Sequence, residues 1–358
     1  CRPRLPSLQM KRRSSRTFPA LFVAAVVCLG IPTGAAFAEP AVGPTGASSD
    51  PTAPTASIAR TAAAADSKLP TVKVSAGNAY SYRGRQYVLP RTKLDLRAAV
   101  VADVVGQKLA LEIYRNGKLV KTTNLALNAT GDKAVAHYAF RTGKKGRYTF
   151  KLALTDEQKA LLETGKSARV SVVKTNIRQG SSGVAVRLFQ SKLRGLAYVT
   201  PLNGRFNAAT GRALIAFRKV NGMSRTASAG YKVARKLAEG RGGFRLRYPK
   251  AGRHIEVSIR RQVMVLASGG KPTRIYHVST GAPATPTVRG TYRVYRKDWG
   301  TNQKGMVHSS YFIRGYAIHG YASVPIYNAS HGCVRVPVPN AASIFNWVRM
   351  GTRVDTYY

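Results

Sequence analysis

Carboxylates are scarce in this chain of 358 residues: 14 aspartates and glutamates stand against 58 lysines and arginines, a formal net charge of +44. Such an imbalance must face an anionic partner or solvent, and it leaves few ligands for a carboxylate-rich metal centre. Cysteine is almost missing as well. Cys1 and Cys28 fall in an N-terminal stretch with the features of a leader, so only Cys333 remains in the rest of the chain, and an internal disulfide is excluded. Long apolar runs are also lacking. The longest, Phe18 to Ile31, falls short of the roughly 20 apolar residues a membrane span needs.

That short run has a different reading. Lys11, Arg12, Arg13 and Arg16 precede it and Ala36-Phe37-Ala38 comes after it, the pattern of a secretory signal peptide cleaved after Ala38. Met10 stands just before the basic segment, so residues 1–9 read as upstream translation. After cleavage no stable membrane span is expected, and the product remains strongly basic. Net charge alone would suggest nucleic acid. An exported chain meets instead the phosphate and carboxylate polymers of a cell envelope, which become the expected anionic partners, and nucleic acid is not expected.

Composition divides the remainder of the chain. Residues 39–70 are Ala, Pro, Thr and Ser with almost no large apolar side chain, a disordered linker. Residues 71–174 carry short β-rich runs: Leu94 to Leu96, Leu109 to Tyr114, Lys118 to Thr123, Ala134 to Phe140 and Tyr148 to Leu154. Asn116-Gly117 between two of them marks a hairpin, and the set predicts a small immunoglobulin-like β-sandwich for spacing or docking. From 175 to 240 the period becomes helical. Val186, Phe189 and Leu193 share one face, and Thr210, Ala213, Leu214 and Phe217 share another behind Asn207 as N-cap. From 252 to 358 the period returns to two, with Ile255, Val257 and Ile259 alternating with polar residues and strands expected at Val263 to Leu266, Ile275 to Ser279, Tyr292 to Tyr295 and Tyr311 to Ile318. One late helix is expected, capped by Asn340, with Ala341, Ile344, Phe345 and Val348 on its apolar face and Gly351 at its end.

The helical segment resembles a peptidoglycan-binding domain of the three-helix type. The likeness runs from Gly180-Ser181-Ser182-Gly183 through Leu188-Phe189-Gln190, Asn203-Gly204-Arg205-Phe206 and Asn221-Gly222. Most of these are core and turn positions, so a small helical linker without a ligand stays open.

The most specific pattern is Ala317-Ile318-His319-Gly320 followed by Ser330-His331-Gly332-Cys333-Val334-Arg335. A free thiol, with pKa near 8.5, is mostly protonated at neutral pH, so a nucleophilic cysteine needs an imidazole within reach. His319, 14 residues upstream of Cys333, fits that need. The pattern resembles the L,D-transpeptidase catalytic domain, and Arg261-Gln262, Ser279-Thr280-Gly281, Thr285-Pro286-Thr287 and Gly290-Thr291-Tyr292 precede it as further family-like features. The resemblance covers 252–358.

It implies Cys333 as nucleophile and His319 as proton acceptor and donor, with the Gly320 carbonyl orienting the His319 ring. It also implies an oxyanion hole from the backbone N–H groups of Gly332 and Cys333, with His331 as a further donor. Arg335 holds a substrate carboxylate or braces the loop. Ser330 stabilises its turn. Tyr311, Tyr316 and Tyr321 flank the pair and line the acyl-donor cleft or belong to the core. No cofactor is implied.

The fold class expected is multidomain and mainly β: a β-sandwich catalytic domain preceded by a three-helix peptidoglycan-binding domain and an immunoglobulin-like domain. The implied activity is transfer between peptidoglycan stem peptides through a Cys333 thioester, located in the cell wall. A hydrolase or carboxypeptidase with the same nucleophile and a non-catalytic wall-binding protein are the rivals. A zinc site from His308, His319, His331 and Cys333 is disfavoured, because no H-E-x-x-H occurs; no metal is expected.

Overall fold

The computed structural model describes residues 69–101 and 104–358; the leader at 1–38 and nearly all of the linker at 39–70 lie outside the described residues. Among the described residues, no helix is long and apolar enough to cross a membrane.

Between Thr71 and Val172 two sheets enclose one core. The first runs in the order Glu163–Thr164, Thr71–Gly77, Lys93–Val100, Lys133–Arg141, Asn128–Thr130. The second runs Tyr80–Tyr82, Arg85–Val88, Ala168–Val172, Gly146–Ala153, Lys108–Arg115, Lys118–Ala126. Period-two alternation decides the facing: Leu94, Leu96, Ala98 and Val100 point inward while Lys93, Asp95 and Arg97 remain exposed. Asn116 and Gly117 take φ of 50° and 86°, the left-handed pair a tight hairpin turn requires.

Three helices come next, Val184–Gly195, Ala208–Val220 and Tyr231–Ala238. Asn207 caps the second, its side-chain oxygen accepting the Thr210 N–H at 3.1 Å. Their core is continuous with both neighbours. Phe189, Leu214 and Phe217 share a cluster with Leu89 and Val173 on one side and Val263, Val265, Ala267 and Ile275 on the other.

The C-terminal sandwich pairs a five-stranded sheet, ordered Lys271–His277, Val263–Ser268, His254–Ser258, Arg353–Tyr357, Gly290–Arg293, with a four-stranded sheet, ordered Arg296–Thr301, Val307–Ile313, Tyr316–Tyr321, Val334–Pro337. Ile255, Val257, Met264 and Leu266 from one sheet meet Phe312, Ile318, Val334 and Val336 from the other.

Three expectations need correction here. The strand His254–Ser258 is buried on both faces rather than alternating. Glu256 is tolerated inside because Arg247 N–H at 3.0 Å, Tyr248 N–H at 2.8 Å and the Tyr357 hydroxyl all donate to its carboxylate. The run Tyr311 to Ile318 is two strands of a hairpin, turned at Arg314, φ 48°, and Gly315. The late helix begins at Val338 with Pro337 as cap and Pro339 inside the first turn, so Asn340 lies within it rather than capping it; Gly351, φ 76°, turns the chain three residues after its C-cap Val348.

Candidate active site

The His319 strand Tyr316–Tyr321 and the strand Val334–Pro337 pair in parallel, with His319 opposite Arg335. Cys333 immediately precedes the second strand. This register brings two residues 14 positions apart to the same end of one sheet. His319 is buried, and its Nδ1 lies 2.9 Å from the Gly320 carbonyl oxygen. A carbonyl only accepts, so Nδ1 carries the proton and Nε2 presents its lone pair. Tyr321 stands edge-on to the ring at 5.7 Å.

No hydrogen bond joins Cys333 to His319 among the described residues; the thiol donates instead to the Gly315 carbonyl at 3.8 Å. The two side chains nevertheless line the same cleft of about 900 Å³, with Tyr311, Tyr316, Tyr321 and Arg335. Such contacts commonly close only once substrate is bound. Burial, and then the Arg335 charge, push the His319 pKa down to about 4 against the pull of the Gly320 carbonyl. Burial also raises the Cys333 thiol, although the Ala317 backbone, Arg335 and Lys304 oppose it. At neutral pH the pair is therefore a neutral thiol beside a neutral base.

The turn before Cys333 is held from several sides. Ser330 Oγ donates to the Cys333 carbonyl at 2.6 Å and accepts the Gly332 N–H at 3.2 Å. The Gly332 N–H is thus engaged by Ser330, whereas those of His331 and Cys333 have no acceptor among the described residues. Gly332 has φ 103°, and a Cβ there would lie 2.1 Å from the Tyr316 ring. Its carbonyl accepts from Thr287 Oγ1 at 2.7 Å, and that oxygen accepts the Gly281 N–H at 2.9 Å. Gln262 grips Thr280 twice, at 2.5 and 2.8 Å, and Asn328 donates to Thr280 Oγ1 at 3.1 Å. Ser279 bridges Arg335 and Gly281 bridges Ser330. The scattered motif residues 262, 279–281 and 287 thus converge as one scaffold beneath the nucleophile turn.

Arg335 lays its guanidinium over Tyr321 at 4.2 Å and forms no carboxylate pair among the described residues. Arg296, Lys304 and Arg314 line the same cleft, which contains no carboxylate. Sequence reasoning missed these three and the loop Asn302 to Met306 because they come from one strand and two turns that carry no motif; the only signal was Asn302-Gln303-Lys304-Gly305, a turn sequence. Asn328, Lys219 and His277 were missed too. His308 is outside the cleft, its ring stacked on Trp299 at 3.9 Å, so the four residues weighed for zinc do not converge.

Lys219, on the second helix, is buried against this scaffold. Its Nζ donates to the Gln262 carbonyl at 3.0 Å, the Val278 carbonyl at 3.1 Å and His277 Nδ1 at 2.8 Å. His277 Nε2 in turn reaches the Val324 carbonyl at 3.0 Å, in the segment leading to Cys333. Burial, and then the Arg225 charge, lower the Lys219 ammonium to about 6, although three acceptors favour its charged form.

The two-sheet domain thus places a cysteine and an oriented histidine in one cleft, an arrangement able to support acyl transfer. Residues 252–355 match the family model described as the YkuD L,D-transpeptidase catalytic domain. Among solved structures, an L,D-transpeptidase from Xylanimonas cellulosilytica is 29% identical, over 52% of this chain and 98% of that one, with a TM-score of 0.48. A fused Zn-dependent amidase/peptidase/peptidoglycan-binding domain-containing protein from Clostridium acetobutylicum is 19% identical over 52% and 100%, TM-score 0.26. An L,D-transpeptidase from Stackebrandtia nassauensis is 19% identical over 52% and 98%, TM-score 0.34. No curated protein matches significantly.

Proposed function

We propose that this protein is an exported peptidoglycan L,D-transpeptidase that works through a Cys333 thioester on a tetrapeptide stem. The observation that carries the reading is His319 with Nδ1 committed to Gly320 at 2.9 Å, sharing one cleft with Cys333. In this mechanism Nε2 takes the thiol proton as sulfur attacks the carbonyl after the third stem residue. The backbone N–H groups of His331 and Cys333 receive the oxyanion, a contribution of about 3 to 4 kcal/mol for such donors. On collapse the terminal D-alanine leaves with the proton from Nε2. An amine of a neighbouring stem then attacks the thioester, gives its proton to His319 and restores the thiol. Arg335, with Arg296, Lys304 and Arg314 around it, supplies the positive field for stem carboxylates.

The helices at 175–240 serve as a peptidoglycan-binding domain and the sandwich at 71–174 as an immunoglobulin-like spacer. The chain's net positive charge holds it near anionic envelope polymers. The decisive test is intact mass after incubation with a tetrapeptide-stem muropeptide: the protein should gain the donor's mass less one D-alanine, on the peptide containing Cys333. Normal product from a Cys333→Ala protein would sink the mechanism. Thioester clearance indifferent to an added amine would make the enzyme a hydrolase.

A further inference from the structure

A second basic cavity, of about 770 Å³, opens between the C-terminal end of helix Ala208–Val220 and the turn after strand His254–Ser258. It shares no lining residue with the Cys333 cleft. Arg225, Arg245, Arg247, Arg260 and Arg261 line it, Lys219, Tyr357 and Tyr358 are at its wall, and no aspartate or glutamate is among the lining residues. None of these arginines takes part in an ion pair among the described residues, although Arg241, Arg296 and Arg353 all do.

Several of the cationic groups are held in place before any ligand arrives. Arg225 donates to the Arg260 carbonyl at 3.2 Å and to the Ile326 carbonyl. Arg247 lies over the Tyr357 ring at 4.9 Å and Arg261 over Phe244 at 5.6 Å. The turn carrying Arg260 and Arg261 is pinned by Gln262, φ 57°, whose amide donates to the Ile259 carbonyl at 2.7 Å. Lys219 lies below, its Nζ engaged by three internal acceptors.

We infer that this cavity is a binding site for a phosphodiester polymer of the cell-envelope kind, such as poly(glycerol phosphate), separate from the catalytic cleft. Guanidinium forks match phosphate oxygens in pairs, which a single carboxylate does not exploit fivefold. A lone phosphate carries at most two charges and would leave most of this lining unneutralised, whereas successive phosphodiesters along one chain can engage several arginines together. The inference does not depend on the transpeptidase reading, because polymer binding and Cys333 acylation are measured separately.

The test uses the full chain, titrated calorimetrically with poly(glycerol phosphate), inorganic phosphate and a single-stranded oligonucleotide of equal phosphate number. Arg245→Gln/Arg247→Gln should weaken polymer binding by about 10-fold or more and flatten its salt dependence, with Cys333 acylation unchanged. The charge-matched control Arg97→Gln/Lys118→Gln, exposed residues on the two sheets of the N-terminal sandwich that do not line the cavity, should change affinity by less than about 2-fold, because exposed charges that do not touch the ligand are screened by salt. Equal loss in both pairs, or none in the first, would overturn the site. Inorganic phosphate binding as tightly as the polymer, or the oligonucleotide binding more tightly, would overturn the ligand assignment.

Discussion

His319 is orientated by its own neighbour: Nδ1 donates to the Gly320 carbonyl 2.9 Å away, which leaves Nε2 as the sole basic nitrogen of the ring. The carbonyl fixes the ring without bringing a charge into a cleft walled by Arg296, Lys304, Arg314 and Arg335. A buried acid there would be drawn into pairing with those cations.

The pH profile of acylation depends on this pair. His319 is pushed down to about 4, so it stays unprotonated, and competent as a base, across the neutral range. The rate should fall on acidification with a midpoint near pH 4 rather than near 6.5, and His319→Ala should lower it by about 10² to 10⁴-fold and remove that limb. Burial raises the thiol above its ordinary range. Alkylation of Cys333 by iodoacetamide should therefore be slow at pH 7 and climb only above pH 9. A midpoint near 6.5 would mean that burial does not depress the imidazole, and fast alkylation at neutral pH would mean a preformed thiolate–imidazolium pair.

Thr287 tests the scaffold beneath the nucleophile. Its hydroxyl oxygen links the Gly281 N–H to the Gly332 carbonyl, so Thr287→Val strands two buried polar groups at about 1–3 kcal/mol each. Urea unfolding should show that loss, and acylation should slow because the Cys333 turn loses a support. Thr287→Ser should retain most of both. Wild-type acylation and stability in Thr287→Val would refute the supporting role.

Lys219 gives a stability signature. Its folded-state pKa is lowered from 10.5 to about 6, so between those values the unfolded chain binds a proton that the folded chain does not. Stability then rises with pH across the window, and the unfavourable contribution is complete below about pH 6. Relative to wild type, Lys219→Met should flatten the rise in unfolding free energy between pH 6 and 10. Parallel curves for the two proteins would show that the three acceptors keep the ammonium charged throughout.

Much of the candidate site was legible because its residues sit in short contiguous motifs: His319-Gly320 and Ser330 to Cys333 meet at one cleft. The scaffold was visible as fragments at 262, 279–281 and 287, but that they share one hydroxyl or one amide depends on tertiary contact. Elsewhere local pattern misled. Apolar spacing ran straight through Arg314-Gly315, hiding a hairpin in what read as one strand. His254 and Glu256 looked outward-facing by alternation, yet their strand is covered on both sides and the carboxylate is satisfied by backbone N–H groups. Asn340 attracted the cap assignment although Pro337-Val338-Pro339, which suits a helix start, stands before it. The engaged Gly332 N–H could not be foreseen, because it depends on the rotamer of Ser330.

Gly332 and Tyr316 provide the sharpest steric test. A Cβ at 332 would come within 2.1 Å of the Tyr316 ring, and φ of 103° is unfavourable for any side chain. Gly332→Ala should therefore cost about 1–3 kcal/mol from overpacking and a further 1–3 kcal/mol or so from backbone strain, and it should displace Cys333 enough to suppress acylation by orders of magnitude. Tyr316→Ala removes the obstructing ring but not the torsional strain. In Gly332→Ala/Tyr316→Ala the steric part should be recovered and the strain part should remain, giving a coupling energy of about 1 kcal/mol or more in a double-mutant cycle. Strict additivity of the two substitutions would show that the ring does not hold the nucleophile turn in place.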